Sequence, residues 1–200
     1  MKQNKKARYI ANVTAGALLV PESKKIADLM LKEVSKEEWK KKIEEENILQ
    51  RLSLSSSKRI ATFIKSRLQL MTNELWAMIR DGDNILATQA NFVAAVKQSK
   101  LLGDYLDSIV RTQFKKMEDT LPLSLWDEYI AMCEKADPYM EKFPPSSAEK
   151  VRGNIHKILI EVGYLSDPYQ RKLQKVEFLP EIIDFLKKNN EQYVLRCIDI

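Results

Sequence analysis

The residues of this chain that could do chemistry on a partner are a run of three serines followed by basic side chains. Between Leu54 and Met71 stand Ser55, Ser56 and Ser57, then Lys58, Arg59, Lys65 and Arg67. Serine at a helix start supplies a hydroxyl and leaves the first backbone N–H groups pointing outward, which is where phosphate binds. Lysine and arginine further along the same helix add positive charge that can meet phosphates. A second stretch repeats the pattern more loosely, with Ser147 opening a helix that carries Lys150, Arg152 and Lys157.

Other chemistry is sparse. The single histidine, His156, falls on the polar side of its helix with no cysteine or acid spaced to join it, so it reads as a surface histidine. No glycine-rich phosphate loop, HExxH pattern or nucleophile elbow occurs. Asp81-Gly82-Asp83-Asn84 lacks the later glutamate of an EF-hand loop and reads as a turn with a helix cap. Cys133 and Cys197 are too few and too far apart for a disulfide framework or a cysteine zinc site, and they fit a reducing cytoplasm. The expectation is a protein that is not an enzyme and needs no cofactor or metal.

The elements that must position the basic residues are helices. Glycine is scarce, at 5 of 200 residues, whereas Leu, Ile, Lys, Glu and Ala dominate. The fold class expected is all-α, with a helix-turn-helix-like N-terminal part and a small two-stranded wing near the C-terminus. Stepping 100° per residue from Ile60 puts Phe63, Ile64, Leu68, Met71 and Leu75 on one side. Lys58, Thr62, Lys65 and Gln69 fall opposite, with Arg59 and Arg67 on the flanks.

Two shorter helices precede this one. Pro21 fits a first helical position, with Ile26, Leu29, Met30 and Val34 as the apolar face, and Ser35 caps the next helix. After the turn at Asp81, Ile85 to Lys100 and Leu101 to Thr120 read as helices, followed by Leu125 to Ala136. Prolines at 138, 144 and 145 mark a linker. Beyond it, Val151, Ile155, Ile158, Leu159 and Val162 form a stripe that stops at Gly163-Tyr164-Leu165. Leu173 to Phe178 and Tyr193 to Ile198 are the strand candidates for the wing, flanking a helix from Pro180 to Asn189.

Charge divides the chain into three segments. Residues 1–80, the helix-turn-helix-like region, hold 17 basic and 9 acidic side chains; 81–143 form an acidic scaffold; 144–200 form a C-terminal helical subdomain with short strands. The basic first segment suits a polyanion. Residues 1 to 9, with Lys2, Lys5, Lys6 and Arg8, read as a solvated tail, with a basic arm as the alternative. The longest apolar run, Ala15 to Val20, is far short of the roughly 20 residues that cross a bilayer, so no membrane partner is expected.

One family shares these residues. Tyr9, Thr14-Ala15-Gly16-Ala17-Leu18-Leu19, Glu22-Ser23, Arg59-Ile60, Arg67-Leu68, Leu75-Trp76, Lys150-Val151-Arg152, Gly163-Tyr164-Leu165 and Cys197-Ile198-Asp199 together resemble the BrxA family of bacterial BREX phage-defence systems. The resemblance implies a small, non-enzymatic, mainly helical DNA-binding component encoded beside a methyltransferase and ATPases, with a likeness to the NusB antitermination fold. Members have also been labelled inner-membrane proteins, which this sequence contradicts for want of a spanning segment. Three readings stay open: a double-stranded DNA binder gripping phosphates, an RNA binder, and a scaffold docking other BREX defence subunits.

Overall fold

The computed structural model describes residues 7–200, and the chain is all-α. Lys2, Lys5 and Lys6 of the expected tail lie outside the described residues. Eleven α-helices follow one another among the described residues. They are α1 (Val20–Leu31), α2 (Lys36–Lys40), α3 (Leu54–Leu68), α4 (Asn73–Asp81), α5 (Asn84–Gln98), α6 (Lys100–Tyr105), α7 (Arg111–Lys115), α8 (Ser124–Ala136), α9 (Pro145–Val162), α10 (Pro180–Lys188) and α11 (Gln192–Ile198). Two wider π turns, Lys41–Glu45 and Leu106–Val110, extend α2 and α6.

These helices gather into two compact units. One contains 15–98 and 178–190, and the other contains the described residues up to 14 with 99–177 and 191–200. The boundaries do not coincide with the three consecutive segments suggested by charge, because α10 returns to pack on α5. There the Leu179 N–H donates to Gln89 Oε1 at 2.8 Å.

In the first of these units α1 packs on α3 and α4. Ile26, Ile64, Leu68, Leu75 and Ile79 are fully buried. Local signals explain the boundaries. Pro21 lies in the first turn of α1, Ser35 Oγ accepts the Glu38 N–H at 3.1 Å, and Asp83 Oδ1 accepts the Leu86 N–H at 2.8 Å.

The second unit centres on aromatic rings. Tyr105 packs against Trp126 and Tyr129, with ring centres 5.2 and 5.1 Å apart. Its N-terminal stretch is tied down: Tyr9 is buried, its hydroxyl donates to Asp104 Oδ2 at 2.9 Å, and Asp137 accepts the Arg8 N–H at 2.7 Å. Arg8 therefore does not belong to a solvated tail, because its guanidinium pairs with Asp104. Tyr193 reaches the same carboxylate from α11, at 2.9 Å.

The expected wing is corrected. Among the described residues there is no sheet, only isolated bridges at Thr120–Lys172 and Leu165–Leu173. Tyr193 to Ile198 is helical, and it buries Val194, Cys197 and Ile198 at helical rather than alternating spacing.

Candidate nucleic-acid interface

The face of interest is the outward side of α3. Its cap is Ser53, whose Oγ accepts the Ser56 N–H at 3.2 Å, so the three following serines lie inside the first turn. Ser55 is exposed and Ser56 half-buried. Ser57 turns inward and donates to Asn47 Oδ1 at 2.9 Å. Of the three, Ser57 is a structural residue, since its hydroxyl serves the preceding loop.

The basic side chains differ in freedom. Lys58 is exposed and pairs with Glu44 at 2.9 Å, while Lys65 lies over the Trp39 ring at 4.3 Å. Arg59 is exposed and makes no ion pair among the described residues. Glu44 and Trp39 come from the segment before α3. No local pattern in the sequence points to either pairing, because they meet α3 across a long loop.

Arg67, on the flank of the apolar stripe, is corrected from a candidate phosphate contact to a structural residue. It is 0% exposed, its Nη1 donates to the carbonyls of Ala17 at 3.0 Å and Leu18 at 3.2 Å, and its Nε donates to Gln98 Oε1 at 3.0 Å. The guanidinium plane also lies over Phe63 at 4.5 Å. The non-helical backbone before α1 needs donors for its buried carbonyls, and Arg67 supplies them. It cannot reach a phosphate.

In the other unit, α9 starts at Pro145, behind Pro144 as its cap, so Ser147 lies within the first turn. Lys150 and Lys157 are exposed, Arg152 is half-buried, and Lys157 lies 3.9 Å from Glu161. The Gly163 stop has the left-handed backbone that favours glycine, φ 100°.

His156 is also corrected. It is buried between Tyr105 and Trp126, with ring centres 5.9 and 6.0 Å away, and its Nδ1 lies 2.9 Å from the Arg152 carbonyl oxygen. A carbonyl only accepts, so Nδ1 carries the proton. The helical wheel misplaced it because bulky rings widen the buried arc of α9 beyond its aliphatic stripe.

Burial pushes the His156 imidazole below its ordinary value, and the charges of Arg171 and Arg152 act in the same direction against the Arg152 carbonyl. The folded state therefore holds fewer protons on this group than the unfolded chain. Its stability contribution is complete above the unfolded value of about 6.5 and is lost as pH falls below it. In urea titrations the midpoint should drop between about pH 7 and pH 5, and His156→Asn should lose that part of the dependence. Equal pH dependence in the two proteins would contradict a buried neutral imidazole.

Both cysteines are buried, and burial raises their thiols, that of Cys197 to about 11. Neither offers a thiolate near neutral pH. Among the described residues no three His, Cys, Asp or Glu side chains form a metal-like group, and no helix is long and apolar enough to cross a membrane.

Fold and surface thus define an all-helical protein that presents basic helix faces from a buried frame. The profile of the BrxA family matches residues 7–190. A protein of Paramagnetospirillum magneticum (strain ATCC 700264 / AMB-1) described as "BREX protein BrxA" is 44% identical over 193 residues, covering 96% of this chain and 97% of that protein. One of Escherichia coli O9:H4 (strain HS), described in the same words, is 31% identical over 199 residues, covering 100% and 93%. A crystal structure of an uncharacterized protein from Magnetospirillum magneticum superposes with a TM-score of 0.89 at 43% identity, covering 96% of this chain and 98% of that one. The chain belongs to the BrxA family.

Proposed function

We propose that this protein is a non-enzymatic DNA-binding component of a bacterial phage-defence (BREX) system, gripping duplex DNA mainly through its phosphates. The observation that carries this reading is α3: its apolar side is buried, and its outer side presents Ser55, Lys58, Arg59 and Lys65. The family's relatives bear the name BREX protein, which supports the defence setting and other BREX subunits as partners. With α1 and α2 ahead of it, α3 takes the part of the presenting helix in a helix-turn-helix. Lys150, Arg152 and Lys157 serve as a second contact. Two buried free thiols suit a cytoplasmic setting.

The ion pair of Lys58 with Glu44 is half-exposed, so a phosphate can displace it at little cost. Each neutralised phosphate releases condensed counterions. A titration of duplex affinity against salt should give a log–log slope of about −3 or steeper if the three α3 cations are engaged. A flat line, or no binding at low salt, refutes the proposal. Folded RNA run in competition tests the NusB-like alternative.

The second reading is a scaffold that docks an acidic defence subunit through the same α3 cations, displacing Glu44 from Lys58 as a phosphate would. In that case Lys58→Glu with Arg59→Glu would abolish complex formation, and free DNA would not bind the wild type.

A further inference from the structure

After Gly163 stops α9, the chain doubles back in a tight hairpin. The Ser166 N–H donates to the Lys172 carbonyl at 3.0 Å, and the Gln174 N–H donates to that of Tyr164 at 2.9 Å. The returning arm is paired on its other edge too: the Leu173 N–H donates to Asp119 O at 2.9 Å, and the Leu121 N–H donates to Arg171 O at 3.0 Å. Asp167 holds the tip, since its Oδ1 accepts the N–H groups of Tyr169 and Gln170, both at 2.7 Å. The Arg171 side chain braces it from below through the carbonyls of Pro168, at 2.9 Å, and Leu121, at 3.2 Å.

On this braced tip Tyr169 is 85% exposed, and its ring packs on no other ring or cation among the described residues. A large ring in water on a fixed backbone has its ordering cost already met before a partner arrives. From Ser166 to Lys175 there are three basic residues, Arg171, Lys172 and Lys175, against one acidic residue, Asp167, whose carboxylate is taken up by the tip N–H groups and the Ser166 hydroxyl. Lys172 and Lys175 are exposed. An exposed ring with cations following it on the same arm matches the chemistry with which proteins hold unpaired nucleotides, the ring stacking on a base and the cations meeting phosphates.

The geometry points to the Tyr169 hairpin as a site for an unpaired base, with Lys172 and Lys175 on the neighbouring phosphates. This rests on the nucleic-acid reading and adds to it a preference for duplex DNA that carries an unstacked nucleotide.

The test compares wild type, Tyr169→Ala and Tyr169→Trp on two probes, a blunt duplex and the same duplex with a single-stranded tail containing a fluorescent adenine analogue. Wild type should prefer the tailed probe and change the fluorescence of the analogue. Tyr169→Ala should lose on the order of tenfold on that probe alone, and Tyr169→Trp should restore it. Thermal unfolding should be unchanged, because the ring supports nothing in the core. Equal binding of both probes by wild type and Tyr169→Ala overturns the site while leaving the duplex reading intact. If neither probe binds at low salt, the nucleic-acid reading falls first and the site with it. If Tyr169→Ala alters only the capture of another defence subunit, the hairpin is a protein contact and the proposal is wrong.

Discussion

Arg67→Ala is expected to destabilise the protein by about 3 kcal/mol or more, the largest effect among the basic residues of α3. Two losses combine. The carbonyls of Ala17 and Leu18 lose their shared donor, and the space filled by a fully buried guanidinium and its stem is left empty. Arg67→Lys should recover only part, because a single ammonium cannot serve both carbonyls and Gln98 while lying flat on Phe63. Urea unfolding monitored by circular dichroism gives the difference. A shift under about 0.5 kcal/mol, the range of ordinary surface changes, would contradict the structural role. Any weaker DNA binding by Arg67→Ala should disappear once the unfolded fraction is subtracted.

Reversing charge on the outer face should act the opposite way. Lys58→Glu, Arg59→Glu and Lys65→Glu together are expected to lower duplex DNA affinity on the order of a hundredfold or more and to flatten the salt dependence. Stability should change little, because these side chains are exposed or half-exposed. Arg59→Glu alone should account for more of the loss than either lysine, since Lys58 and Lys65 already have Glu44 and Trp39 as neighbours. Fluorescence anisotropy at two salt concentrations separates this from a folding defect. Unchanged affinity in the triple variant would remove α3 from the interface.

Much of the frame could be read from local chemistry. Capping serines, helix-opening prolines and the Gly163 stop act within a few residues of their targets, so the starts of α1 and α2 and the end of α9 follow from sequence alone. The buried stripe of α3 is likewise a matter of period, and Ile60, Ile64 and Leu68 lie where a turn of 3.6 residues puts them.

What sequence could not determine lies at the edges of those stripes and across loops. Arg67 and His156 both fall beside an apolar face, and whether such a residue is buried depends on what packs there. For Arg67 the deciding partners are carbonyls some 50 positions earlier, and for His156 they are the rings of Tyr105 and Trp126. Tyr193 to Ile198 is too short for its period to separate strand from helix, and burial of Cys197 in its own unit decides the matter. The sequence by itself determined an all-helical chain of this family with a basic outward face on α3. Only the tertiary structure decided which cations remain outside, because burial is a property of neighbours brought together from distant parts of the chain.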